Sequence, residues 1–255
     1  MRAITISTLR KNIKKHFDYV VSIKGFYIVG TDEKPKYSYP QSTGKQLVLH
    51  MTKVFSSLLD QNEDGKIDNY RIFKSMKKNF VFAIGYANTL EEHEEEIDQK
   101  FHRYVMSLKS DKWDVNYKLR SIHIDTNQRL DSSMYRPEGY SSSWEEAFHT
   151  ITEARNRVGS KWSFTAESQL FEWMDADRKR GLYDTSEQNK EEEGHYDEET
   201  AVNELIHQVW LFYLAGAEKN LTSNQKRVLR LIKRSQLPLK VNSRYRGKKL
   251  YSVIK

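Results

Sequence analysis

The chain has 255 residues, of which 38% are apolar and 12% aromatic, with 42 Lys and Arg against 35 Asp and Glu, a formal net charge of +7, and no cysteine. That is enough apolar material for one substantial core or two small ones, and no window approaches the ~18 uncharged apolar residues of a membrane span. The absence of thiols excludes disulfides, cysteine nucleophiles and Cys-ligated zinc or iron–sulfur clusters, so any metal must be held by His and carboxylates.

The segment Met1 to Val20 reads as a short strand followed by an amphipathic helix. It resembles the start of Phd-type antitoxins, and the match stops by about Val21; that resemblance implies a dimer that binds operator DNA. A strand and helix docked on the core account for the same residues. The N-terminus has no apolar stretch followed by a small-residue cleavage site, and the expectation is a cytoplasmic protein with no membrane partner.

Apolar alternation and β-branched enrichment then predict strands near Gly25–Gly30, Phe80–Tyr86 and Val115–Asp125. Helical periodicity predicts helices at Lys45–Leu59, Leu90–Leu108, Trp144–Val158, Ala166–Arg178, Glu198–Ala215 and Ser223–Lys233, with Gly159, Gly181 and Gly216 as stops. The acidic stretch Glu191 to Glu199 reads as a surface loop. The fold class expected is α/β (α+β), a small mixed sheet followed by a helical half. The organisation expected is an extension at 1–22, one domain over 23–217 and a basic extension at 218–255.

Between the first helix and the second strand, Asp60, Asn62, Asp64 and Asp68 alternate around Gly65. A calcium ion needs six or more oxygens, and these side chains with the Lys66 carbonyl supply most of them. The loop resembles an EF-hand loop through its first nine positions, then departs from it, because Arg71 stands where the family carries a bidentate Glu. The resemblance implies calcium held by Asp60, Asn62, Asp64, Lys66 and Asp68, weakly. An Asp/Asn/Gly turn between two helices explains the same residues.

Ser143 and Glu146 have the spacing of a capping box, which predicts a helix starting at Trp144. Glu145 and His149 are four apart and Glu146 and His149 three apart, so carboxylates flank one imidazole on consecutive turns, where a cation can bridge them. The run Glu145-Glu146-Ala147-Phe148-His149 resembles the gluzincin metallopeptidase motif H-E-x-x-H with Glu in place of its first His. Gluzincins take a third ligand from a Glu on a later helix, often preceded by Asn, as in Asn203-Glu204. The resemblance, confined to residues 140–210, implies zinc held by Glu145, His149 and Glu204, with Glu146 as general base. A donor such as His195, Tyr196 or His207 then stabilises the oxyanion of a peptide substrate. A Glu₂His shell weakens the Lewis acid, which implies a zincin-like hydrolase of reduced activity or an inactive descendant.

The Asp-rich loop, the Trp-Glu-Glu-x-x-His helix and the later His-Tyr-Asp and Glu helix succeed one another as in a family of uncharacterised proteins that the chain resembles over 25–215. An alternative uses Glu146-x-x-His149 and Glu204-x-x-His207 as the paired E-x-x-H elements of a di-iron carboxylate bundle, with Glu172 as a further ligand. Exposed Glu–His pairs on charged helices form a third explanation.

Residues 226–255 contain eleven Lys and Arg and no Asp or Glu, so the net positive charge belongs to this tail. Arg244, Arg246, Lys248 and Lys249, interleaved with Tyr245 and Tyr251, suit a phosphate-binding arm for nucleic acid. A solvated amphipathic helix and a final strand are the alternative reading.

Overall fold

A computed structural model describes residues 13, 17–30, 44–86, 119–124, 142–159, 162–183, 189–190, 195–196, 198–240, 245–247 and 249–255, some of them as backbone alone. In chain order the strands are β1 (Tyr19–Ile23), β2 (Phe26–Gly30), β3 (Val81–Tyr86), β4 (Leu119–Ile124), β5 (Asn189–Lys190), β6 (His195–Tyr196) and β7 (Tyr251–Val253). The helices are α1 (Gly44–Leu59), α2 (Tyr70–Asn79), α3 (Ser142–Asn156), α4 (Gln169–Lys179), α5 (Glu198–Leu214) and α6 (Ser223–Arg234). The chain divides into two compact units, one of Met1–Asp68, Met76–Ala147 and Asn242–Lys255, the other of Asn69–Ser75 and Phe148–Val241. No helix among the described residues is long and apolar enough to cross a membrane.

The first unit is built on a five-stranded mixed sheet in the order β4-β3-β2-β1-β7. β1 and β2 form an antiparallel hairpin around Lys24 and Gly25, whose φ angles of 44° and 98° give the positive-φ pair that a two-residue turn needs to match strand twist. β3 adds parallel to β2 and β4 parallel to β3, and β7 closes the other edge antiparallel to β1. The α1 helix buries Val48, Met51, Phe55 and Leu58, spaced three and four apart. Its Phe55 ring meets Phe26 and Phe82 edge-on at 5.0 Å each, which joins the helix to two strands.

In the second unit α5 buries one side of its length, with Val202, Leu205, Ile206, Val209 and Trp210 all enclosed. Its end is set by Gly216 at φ +65°, where Ala217 N donates to Phe212 O; Gly181 at φ +66° ends α4 in the same way, with Leu182 N on Asp177 O. The α6 helix opens on a capping box formed by Thr222 and Gln225. Asp177, buried at the end of α4, accepts from Thr222 Oγ1 and from Asn224 Nδ2, which ties the two helix ends together.

The mixed α/β class matches the expectation. The three predicted strands and five of the six predicted helices are present, with helix ends displaced by up to three residues where local capping sets them. Ser168 Oγ accepts Phe171 N, so α4 begins at Gln169 instead of Ala166. α3 begins at Ser142, which puts Ser143 inside the first turn and not at the cap. Four of the strands and α-helices have no counterpart among those predicted: β1, α2, β5 and β6, the last within the stretch Glu191 to Glu199 that reads as a surface loop. β1 starts at Tyr19, within the segment whose periodicity suggests a helix. α2 starts where Asn69 Oδ1 accepts Ile72 N. The predicted helix Leu90–Leu108 and, of the segment Met1 to Val20 that carries the antitoxin resemblance, residues 1–12 and 14–16 lie outside the described residues.

Candidate metal centre

A helix places residues three or four apart on one face, so Glu145 and Glu146 stand on either side of His149 and spacing alone does not decide which of them joins it. In α3 the inward face carries Trp144, Ala147, Phe148 and Ile151, and Glu145 and His149 are buried with them while Glu146 is half-buried. The boundary between the two units falls after Ala147, within α3, which nevertheless runs as one continuous helix. Glu145 therefore stands one turn before His149 on the same rod. α3 and α5 are held together by Phe148 stacked on Trp210, with ring centroids 4.1 Å apart and planes within 7°. One turn beyond His149, the buried Thr152 hydroxyl donates to Asn203 Oδ1 at 2.6 Å, beside Glu204.

This pairing brings Glu145, His149, Glu204 and His207 together, each offering a ligand atom within 4.8 Å of the others. Glu145, His149 and His207 retain 5%, 3% and 3% of their exposure, and Glu204 is half-buried. His149 Nε2 lies 3.2 Å from Glu204 Oε1, and the His149 and His207 rings are tilted at 52° with centroids 5.1 Å apart. Burial, followed by the neighbouring His149, holds His207 well below the ordinary histidine range, so it is neutral at pH 7 with a lone pair available to a metal. A divalent cation placed among them would draw on two carboxylates and two imidazoles at once.

The donor set of two nitrogens and two carboxylates suits zinc, iron(II) or manganese(II) and does not by itself select among them. Of the ligands predicted from sequence, Glu145, His149 and Glu204 are brought together. His207 joins them. Its signal is the i,i+3 spacing from Glu204, which the sequence presents as an oxyanion donor or as part of an E-x-x-H pair. The structure gathers Glu145, not the Glu146 of the di-iron pattern, and Glu172 is exposed on α4. His195 and Tyr196 form the short strand β6, paired with β5; their side chains are outside the described residues.

The Asp-rich loop does occupy the turn between α1 and α2, with Glu63 and Gly65 at φ 59° and 83°. Its carboxylates accept main-chain amides: Asp60 from Asp64 N and Gly65 N, Asp64 from Lys66 N, and Asp68 from Gln61 N. Asp60, which is fully buried, also accepts the Tyr245 hydroxyl at 2.6 Å, and Glu63 accepts Arg246 N at 3.2 Å. Among the described residues the carboxylates of this loop do not form a group of three within metal-ligand reach. Arg246 and Lys249 belong to a C-terminal segment latched to the loop and running into β7, and Arg244 and Lys248 lie outside the described residues. In comparison with known proteins, no family model matches the chain, and no curated protein or solved structure matches it.

Proposed function

We propose that this chain is a metalloprotein that binds one divalent transition-metal ion, zinc in the first instance, through Glu145, His149, Glu204 and His207, and that the ion serves hydrolysis of a peptide-like bond. The observation that carries the reading is the convergence of these four groups from two buried helices. When bound, such an ion acidifies a water and polarises a carbonyl. Glu146, next to Glu145 on α3 and half-buried, is the base in this reading. Hydrolysis would need one coordination position left to water beside these ligands.

A second reading is favoured by the burial of three of the four groups: a closed site in which the ion pins α3 to α5 and performs no chemistry. Elemental analysis of the purified, reconstituted protein is the first test, with about one ion per chain expected and loss of most of it in His149→Ala and in Glu204→Gln. Protein that takes up no transition metal, or whose content is unchanged in both variants, overturns both readings. Glu146→Gln then separates them. The hydrolytic reading expects the ion retained and cleavage of a chromogenic peptide lost by about 10²-fold or more. The closed-site reading expects no cleavage in the parent protein.

A further inference from the structure

The α6 helix divides its two faces sharply: its apolar face, Val228, Leu229 and Ile232, is buried, while Lys226, Arg227, Arg230, Lys233 and Arg234 are exposed and the helix carries no acid. Its first turn is anchored by the capping box and by Asp177, so the cations are displayed on a fixed rod. Arg180 is exposed three residues past Asp177, at the same junction. Among the described residues the ion pair made by this face is Lys233 with Glu218 at 3.6 Å, and Lys226, Arg230 and Arg234 have no carboxylate partner. They are spaced four apart, so one charge succeeds another at about 6 Å along the axis.

Aromatic rings border the same face. Arg227 lies 5.9 Å from the centre of the Trp173 ring and Lys233 4.3 Å from that of Tyr213, both rings half-buried, and Phe212 is 40% exposed beside Tyr213. A row of cations that has no carboxylate partner among the described residues, flanked by half-buried aromatic rings, has the chemistry that single-stranded nucleic acid requires, with phosphates on the cations and bases beside the rings. A bilayer is a poorer match, because an interfacial helix must offer its apolar face to lipid and this one is spent on the core.

We infer that the exposed face of α6, with Trp173 and Tyr213 at its border, binds the backbone of single-stranded nucleic acid. This surface shares no residue with the four ligand groups of α3 and α5 and uses a different chemistry, so the inference does not depend on a bound metal.

The test is fluorescence anisotropy of the full chain with single-stranded oligonucleotides of about 16 nucleotides across about 50 to 200 mM salt. The triple variant Lys226→Gln, Arg230→Gln, Arg234→Gln leaves Val228, Leu229 and Ile232 in the core, and circular dichroism checks that it folds. It is expected to bind about tenfold or more weakly, with the log–log salt slope reduced by about 2, since each phosphate contact on a single strand contributes about 0.7. The triple variant Lys45→Gln, Lys53→Gln, Lys74→Gln removes the same charge from exposed positions elsewhere and is expected to bind nearly as the parent does. No binding by the parent at low salt, equal weakening in the two variants, or displacement of the oligonucleotide by an equal charge concentration of polyglutamate overturns the inference. The last outcome identifies an acidic protein as the partner.

Discussion

Thr152 lies one turn beyond His149, and Asn203 immediately precedes Glu204, so their buried hydrogen bond of 2.6 Å ties the two ligand-bearing helices together beside the ligands. Groups that orient metal ligands from outside typically change affinity by 10- to 100-fold when removed. Thr152→Val keeps the shape and removes the donor; it is expected to lower metal affinity by about 10- to 100-fold, while Thr152→Ser stays within a few-fold of the parent. Competition with a chromogenic chelator measures both. Equal affinities in the Val and Ser variants would show that the hydrogen bond stabilises the fold without aligning the site. At this scale the sequence contains both candidates for the first ligand, Glu145 and Glu146, and periodicity alone cannot choose between them. The choice depends on which side of α3 faces α5, and the stacking of Phe148 on Trp210 settles that side.

Among the elements, α1 has a pH response of its own. Burial, reinforced by the nearby charge of Lys53, lowers the His50 pKa to about 4 from 6.5. His50 is thus neutral in the folded chain where it would already be charged in the unfolded one. Stability is unaffected above about pH 6.5 and falls as the pH drops from there towards 4, because the unfolded state gains the proton first. The loss amounts to about 2–3 kcal/mol by pH 4. Urea unfolding at a series of pH values is expected to show this decline, and His50→Gln is expected to remove that share of it. An unchanged slope in the variant would place the pH response elsewhere. The helices are legible because their signals are local: the spacing of Val48, Met51, Phe55 and Leu58 in α1, and the glycines that end α4 and α5. The β1 strand is not, since Tyr19–Ile23 is short and its identity rests on partners on either side, β2 and the distant β7.

For the molecule as a whole, the ligands on α3 stand more than fifty positions in sequence from those on α5. A metal that binds only the folded arrangement stabilises it by mass action, by about 2.7 kcal/mol at a free concentration 100 times its dissociation constant. Hydrogen exchange with and without zinc is expected to show added protection concentrated in α3 and α5, with α1 and the sheet strands little changed. Protection spread evenly over the chain, or confined to the Asp60–Asp68 loop, would contradict the assigned position of the ion.

The sequence by itself determined the properties that arise from composition and from the repeat of the backbone: no sulfur ligands, a mixed α/β chain, a basic C-terminal stretch, and Glu145 with His149 and Glu204 with His207 on single helix faces. The tertiary structure alone decided which of those faces meet. It brought His207 into the group with the three expected ligands, and joined Asp60 to Tyr245 across 185 positions of chain. The physical reason is that helical spacing and capping are set by dihedral preferences within a few residues, whereas the meeting of two faces is set by how buried side chains from distant segments fit together.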